Sequence, residues 1–154
     1  QITDDKVLPF EDETFDLVIN RHESFWSDEI YRILKPGGRF ITQQVGERNN
    51  LYLNELIAEN KPKPATEWSW TLQNAVGYLR DAGFVIVVEQ EQFPREHYYD
   101  IGALVFYLKV IQWQIPDFSV EKYREELGQI HNTIEMQGAI TPLAHRFYIE
   151  AIKA

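Results

Sequence analysis

Two short blocks of sequence decide the fold of this chain of 154 residues. The first is LPFEDETFDLVINRHE at residues 8–23, and the second is RILKPGGRF at residues 32–40. Within the first block, residues 15–20 form a nearly continuous apolar run after an acidic turn, which is typical of a central strand buried on both faces. The second block ends a short amphipathic helix that starts at Ser27, and residues 39–45 form the next strand. The blocks therefore predict a strand, helix and strand in succession.

Residues 49–88 continue this alternation of helix and strand. We predict helices over 49–59 and 71–82 and a strand over 84–88. Thr71 is the expected N-cap of the second helix, and Gly83 lies where a left-handed C-cap belongs. Alternating elements of this kind are typical of an α/β layered domain.

The alternation of helix and strand stops after residue 93, where two helices are predicted in succession. The apolar spacing predicts one helix that begins at Asp100 and another with Ser119 as N-cap and Gly138 as its stop. Residues 145–153 then place Phe147, Ile149 and Ala151 on one face of a final strand. The chain is thus expected to end back in the sheet.

Composition and charge narrow the function classes. The chain is 44% apolar and carries 15 basic against 24 acidic side chains, a net charge of −9. This balance disfavours a nucleic-acid partner, because phosphate recognition uses clustered Lys and Arg. No apolar run approaches the roughly 20 residues that span a bilayer, so we expect no membrane partner, and a cytoplasmic location is the default.

The two blocks closely resemble class I S-adenosylmethionine-dependent methyltransferases of the small-molecule type. Such enzymes carry an L-P-F-x-D-x-x-F-D-L-V type block followed about a dozen residues later by R-x-L-K-P-G-G. The resemblance is clear over residues 4–46 and extends by element order to the final strand. It implies a seven-stranded sheet in which the last strand is antiparallel and lies between the fifth and the sixth.

The resemblance also implies what this chain lacks. Residues 15–20 correspond to the family's fourth strand, so its first three strands and glycine-rich cofactor loop lie before Gln1. We therefore expect residues 1–154 to form a single partial methyltransferase domain, the C-terminal portion of a longer protein. Residues 94–143 match only as a helical insertion, which we interpret as a substrate cap. This chain alone is expected to bind S-adenosylmethionine weakly or not at all and to be inactive.

The resemblance assigns cofactor contacts to two places. Asp4 is expected to accept a hydrogen bond from the adenine amino group while the backbone N–H of Asp5 meets the ring, although a solvated terminus explains these residues equally well. Asn20 and Arg21 lie at the carboxyl end of the first strand, where ligands bind in open α/β sheets. In similar enzymes this turn faces the methionine moiety of the cofactor.

His22 and Glu23 are the candidate catalytic residues. An imidazole with an ordinary pKa of about 6.5 suits proton exchange near neutrality, but a histidine bonded to a backbone carbonyl is the alternative, and the sequence does not choose between the two side chains. Aromatic residues in the loops favour either an acceptor pocket or ordinary packing; they are Phe25, Trp26, Trp68, Trp70, His97, Tyr98 and Tyr99. Neither His131 nor His145 has a partner residue at metal-ligand spacing, so no metal is predicted.

The predicted function of the complete protein is methyl transfer to a small-molecule acceptor. A nicotinamide-dependent oxidoreductase is disfavoured, because no glycine fingerprint opens a helix, and the charge disfavours a nucleic-acid methyltransferase. The stronger alternative is a non-catalytic, self-associating module derived from a methyltransferase. With the neighbouring strand absent, residues 15–20 form an apolar edge that predicts a homodimer.

Overall fold

The computed structural model of the chain describes residues 6–58 and 70–154. In these ranges it contains four strands and five helices. Their bounds are β1 (Phe15–Arg21), α1 (Ser27–Ile33), β2 (Leu34–Val45), α2 (Leu51–Ala58), α3 (Leu72–Asp81), β3 (Phe84–Gln92), α4 (Ile101–Val110), α5 (Arg124–Gln137) and β4 (Arg146–Lys153).

The four strands form one mixed sheet in the order β1-β2-β4-β3. β1 and β2 are parallel, whereas β4 runs antiparallel to both β2 and β3. The last strand of the chain therefore lies between the two strands that precede it in sequence. This order confirms the predicted partial Rossmann-like methyltransferase sheet.

The chain divides into two compact units. The sheet unit comprises the described parts of residues 1–47, 65–92 and 146–154, and the helical unit comprises those of 48–64 and 93–145. The sheet unit thus contains all four strands with α1 and α3, and the helical unit contains α2, α4 and α5. The interpretation of residues 94–143 as a substrate cap stays a prediction.

One face of the sheet carries the core of the sheet unit. Phe40, Phe147, Ile149 and Ala151 are at most 1% exposed on this face. α1 and α3 cover it with the buried side chains Ile30, Ile33, Leu72, Ala75, Val76 and Leu79. Removing so much apolar area from water is the main stabilising term of this unit.

The opposite face of the same sheet remains largely open. Leu17 and Ile19 on β1 are 47% and 68% exposed, and Val85 on β3 is 56% exposed. The prediction that β1 is a central strand buried on both faces is therefore wrong. β2 is the only strand that pairs with β1 in the described part of the chain, so β1 is an edge strand, as the expected absence of a neighbour required.

Three of the capping predictions from sequence, at Thr71, Asp100 and Gly138, are confirmed. The Thr71 side chain accepts a hydrogen bond from the Asn74 backbone N–H at 3.2 Å, and Asp100 does the same for Ala103 at 2.8 Å. Gly138 ends α5 in the left-handed conformation with a φ of 84°, which glycine adopts at little cost.

Two predicted starting points, those of β2 and α5, are wrong by several residues for identifiable reasons, and β3 ends at Gln92 instead of residue 88. β2 begins at Leu34 instead of residue 39, because Leu34 already pairs with Phe15 before the register shifts. α5 begins at Arg124, because Ser119 caps only a preceding turn by accepting a hydrogen bond from the Lys122 N–H. The first difference arises from a contact between strands that the local spacing does not contain, and the second from a separate turn that precedes the helix.

Candidate functional site

The turn that follows β1 is fixed by the side chain of Asn20. Its Oδ1 accepts hydrogen bonds from Thr42 Oγ1 at 3.1 Å and Gln44 Nε2 at 2.6 Å. Its Nδ2 donates to the Ser24 carbonyl at 3.2 Å. Asn20 therefore ties the start of the turn to its end and to the neighbouring strand.

Gln44 supports the same turn from β2. Its Nε2 also lies 3.1 Å from the Glu23 carbonyl and 2.7 Å from Thr42 Oγ1, and its Oε1 accepts a hydrogen bond from the Trp70 indole at 3.3 Å. Gln44 is 3% exposed and Thr42 is fully buried. Buried polar groups that satisfy one another in this way hold a loop in one conformation.

The sequence analysis missed Thr42 and Gln44. A signal was present, because both lie at alternate positions on a strand whose same face is otherwise buried and apolar. Their role depends on Asn20 of the adjacent strand, so it becomes visible only when the two strands are paired.

His22 lies at the tip of this turn in a strained backbone conformation. Its φ is 58°, in the left-handed region that non-glycine residues rarely adopt, and its N–H donates to the Gln43 carbonyl at 2.8 Å. Desolvation by the surrounding protein lowers the pKa of His22, and the positive charges of Arg146 and Arg21 lower it further. The neutral imidazole is thereby favoured.

Three side chains at the turn take no part in these supporting bonds. Arg21, His22 and Glu23 are exposed. Within residues 6–58 and 70–154 their side chains make no hydrogen bond or ion pair. The turn thus presents a cation, a neutral base and a carboxylate on a fixed backbone.

The residues at the turn fit one end of the expected cofactor. The methionine moiety of S-adenosylmethionine carries a carboxylate, which matches the charge of Arg21. A cavity of about 350 Å³ extends from this turn along β1 and is lined mainly by apolar side chains. Asp4 and Asp5, assigned to the adenine ring, lie outside the described residues.

The two signature blocks contact each other directly. The Glu29 carboxylate accepts hydrogen bonds from the Leu8 N–H at 2.6 Å and from Arg32 Nε at 2.9 Å. Arg32 also donates to the Phe10 carbonyl and to Asp12, at 2.8 and 2.7 Å. Hydrogen bonds from Arg32 hold the pKa of Glu29 below its usual range. Arg32 of the second block therefore holds the first block in place, together with Glu29.

The aromatic residues divide between packing and other contacts. In the sheet unit Phe25 packs on Phe40 at 5.0 Å and on Trp70 at 5.6 Å between ring centroids, and Trp70 packs on Phe147 at 5.7 Å. The Trp26 ring instead lies under the Lys6 ammonium. In the helical unit His97 stacks on Tyr99 and Tyr98 is buried, while Trp68 lies outside the described residues.

Comparisons with known proteins agree with this architecture. Residues 2–42 match the family model of the methyltransferase domain. An inferred methyltransferase from Bacillus halodurans has a structure with a TM-score of 0.61 and 17% identity, and the alignment covers 97% of this chain and 69% of that one. The fold is that of a class I methyltransferase.

A second structure has the same methyltransferase-like arrangement. The YcgJ protein from Bacillus subtilis is 14% identical with a TM-score of 0.53, over 96% of this chain and 68% of its own. This chain therefore spans about two thirds of the length of these two proteins. A search of curated protein sequences found no match. In the described part of the methyltransferase-like chain, no helix is both long and apolar enough to cross a membrane.

Proposed function

We propose that the complete protein transfers a methyl group from S-adenosylmethionine to a small-molecule acceptor. The observation that carries the proposal is the match of residues 2–42 to the methyltransferase domain, in a sheet whose last strand is reversed between its two predecessors. The net charge of −9 favours a small acceptor over a nucleic acid.

The turn after β1 supplies the protein's part of the chemistry. S-adenosylmethionine, when bound, provides an already activated methyl group, so alignment and removal of the acceptor proton are the main tasks left to the chain. Asn20 fixes the turn, and Arg21 holds the methionine carboxylate. His22 or Glu23 accepts the proton of the acceptor; the lowered pKa of His22 keeps its imidazole neutral and basic near pH 7.

The test is a transfer assay on the full-length protein with methyl-labelled S-adenosylmethionine and a library of small amines, acids and phenols. We expect labelled product, and we expect His22→Ala or Glu23→Gln to lower its rate more than cofactor affinity. Asp4→Ala is expected to weaken cofactor binding several-fold, since one hydrogen bond contributes about 1 kcal/mol. His131→Ala, an exposed histidine on α5, is the matched control. A wild-type rate in both site variants contradicts the proposed roles.

The chain of 154 residues by itself is proposed to bind S-adenosylmethionine weakly or not at all. The turn after β1 supports only the methionine end of the cofactor, and the family's glycine-rich loop is not among these residues. Calorimetric titration of the isolated chain is expected to show no heat of binding at micromolar concentrations. Micromolar affinity contradicts this proposal while leaving methyl transfer intact.

A second proposal concerns assembly, and it also covers the alternative of a non-catalytic module. We propose that the chain forms a homodimer through β1. Residues 15–20 contain no Lys or Pro, Leu17 and Ile19 are exposed, and no described strand pairs with the outer side of β1. Edges of this composition pair readily with another chain, and two copies of one strand can pair about a twofold axis.

Sedimentation of the isolated chain tests the dimer. We expect a dimer that Ile19→Lys converts to a monomer, because a buried ammonium opposes pairing. Val85→Lys places the same charge on β3, the other edge of the sheet, and is expected to leave the dimer intact. A monomeric wild type, or a dimer that only Val85→Lys dissociates, contradicts association through β1.

A further inference from the structure

A cavity of about 480 Å³ lies within the helical unit, and its lining contains none of the residues assigned to methyl transfer. Its walls come from Arg48, the first turns of α2, Phe93 and the segment 137–143 that connects α5 toward β4. The volume falls within the range typical of small-molecule sites. The sequence analysis assigned no ligand to this cavity, although residues 137–143 of its wall belong to the insertion interpreted as a substrate cap.

Arg48 is positioned at this cavity by two other side chains, Phe93 and His145, which stack in sequence beneath its guanidinium. Its guanidinium lies over the Phe93 ring, 4.9 Å from the centroid, and Phe93 stacks on the His145 imidazole at 4.7 Å. The Arg48 N–H also donates to His145 Nδ1 at 3.2 Å, and His145 is fully buried. The cation is therefore positioned by an aromatic face and a backbone bond, without a carboxylate.

Tyr52 and Glu55 also present polar groups at the cavity. Within the residues that the structure describes, Arg48 makes no ion pair, and neither the Tyr52 hydroxyl nor the Glu55 carboxylate has a protein partner. A cation and an anion thus line one cavity without neutralising each other. Both charges remain available to a ligand.

The wall formed by residues 137–143 is tied by backbone hydrogen bonds and is partly apolar. The Leu143 carbonyl accepts a hydrogen bond from the Asn50 N–H at 2.9 Å, and Ile140 exchanges backbone hydrogen bonds with Tyr98 at 3.0 and 3.1 Å. Ile140, Pro142 and Leu143 supply apolar contact area. A preformed wall of this kind lowers the entropic cost of binding.

We propose that this cavity binds a small zwitterion that carries a carboxylate, an ammonium group and an apolar side chain. The carboxylate pairs with the Arg48 guanidinium, the ammonium pairs with Glu55, and the apolar part packs against Ile140 and Leu143. The opposite charges exclude a simple acid or a simple amine as the best ligand. The inference concerns binding alone and does not depend on methyl transfer.

The first test compares three probes of similar shape by calorimetric or NMR titration of the chain. The probes are L-leucine, 4-methylpentanoate, which lacks the ammonium, and 3-methylbutylamine, which lacks the carboxylate. L-leucine is expected to bind at least about tenfold more tightly than either, because each charge-assisted pair contributes that much. Equal affinity for the acid and L-leucine, or no binding of L-leucine, overturns the proposal.

Variants then assign each charge to its residue. Arg48→Gln is expected to weaken L-leucine binding about tenfold and to leave the affinity for 3-methylbutylamine unchanged. Glu55→Gln is expected to weaken L-leucine binding by a similar factor and to leave the affinity for 4-methylpentanoate unchanged. Arg124→Gln and Glu135→Gln remove exposed charges from α5, outside the cavity lining, and serve as matched controls for net charge. The proposal is overturned if a control variant weakens binding as much as its cavity counterpart.

Discussion

The sheet has two edges among the described residues, and they differ in chemistry. β1 exposes Leu17 and Ile19 and carries charges only near its ends, at Asp16 and Arg21. β3 exposes Val85 but ends in Glu89 and Glu91. Charged side chains protect an edge against pairing, so β3 is suited to remain an edge and β1 is not. The candidate catalytic turn lies at the end of the unprotected strand.

Side chains on the interior strand β4 should contribute more to the free energy of unfolding than exposed side chains on the edge strand β1. Phe147 on β4 is 1% exposed, whereas Ile19 on β1 is 68% exposed. We expect Phe147→Ala to lower the free energy of unfolding by about 3–5 kcal/mol, because it leaves a cavity in the core. Ile19→Ala should change it by about 0.5 kcal/mol or less.

Denaturant unfolding at low protein concentration, where association is absent, measures both values. Comparable losses in the two variants would mean that the exposed face of β1 is covered in solution even in the monomer.

A second prediction concerns what holds β1 in place on its amino-terminal side. The Glu29 carboxylate accepts hydrogen bonds from the Leu8 N–H and from Arg32. The two residues before β1 are also bound to α1: the Glu13 N–H donates to the Arg32 carbonyl, and the Thr14 N–H donates to the Ile33 carbonyl. We expect Glu29→Gln to cost about 2 kcal/mol of unfolding free energy, since charged hydrogen bonds are lost in a buried site.

The pH dependence provides the control for Glu29. Its pKa is lower in the folded than in the unfolded state, so its stabilisation is present above the unfolded pKa and is lost as the pH falls through the folded value. The difference between wild type and Glu29→Gln should therefore shrink in acid. A difference that is constant with pH contradicts the role of its charge.

The carboxyl end of β1 gives a smaller effect. Asn20→Ala removes the acceptor of Thr42 and Gln44 and the donor to the Ser24 carbonyl. We expect a loss of about 1 kcal/mol and faster amide exchange at residues 22–24. Asn74→Ala is a control on α3, and it should leave exchange in this turn unchanged.

The smallest effect is electrostatic. An NMR titration should give His22 a pKa below the ordinary value of about 6.5, because desolvation and the charges of Arg146 and Arg21 all oppose protonation. Arg146→Gln should raise this pKa, while Arg80→Gln, a charge removed from α3, should not. A pKa at or above the ordinary value would contradict the proposed base.

Local signals predicted much of this fold. Thr71, Asp100 and Gly138 mark helix ends because a cap depends on residues within one turn. The start of β2 at Leu34 was not predictable in this way, because it depends on pairing with Phe15. At the candidate site, the assignment of residues 20–23 came from the resemblance and stays a prediction, whereas the role of Thr42 and Gln44 depends on a neighbouring strand. The cavity at Arg48 depends on residues far apart in sequence.

The most direct test of the central claim is hydrogen exchange of the full-length protein with and without S-adenosylmethionine. The claim is that the turn after β1 holds the methionine end of the cofactor. We expect the cofactor to slow amide exchange at residues 20–23 and to leave the β3 edge at 89–92 unchanged. Cofactor binding that protects β3 or other segments and leaves residues 20–23 unaltered would contradict the assignment.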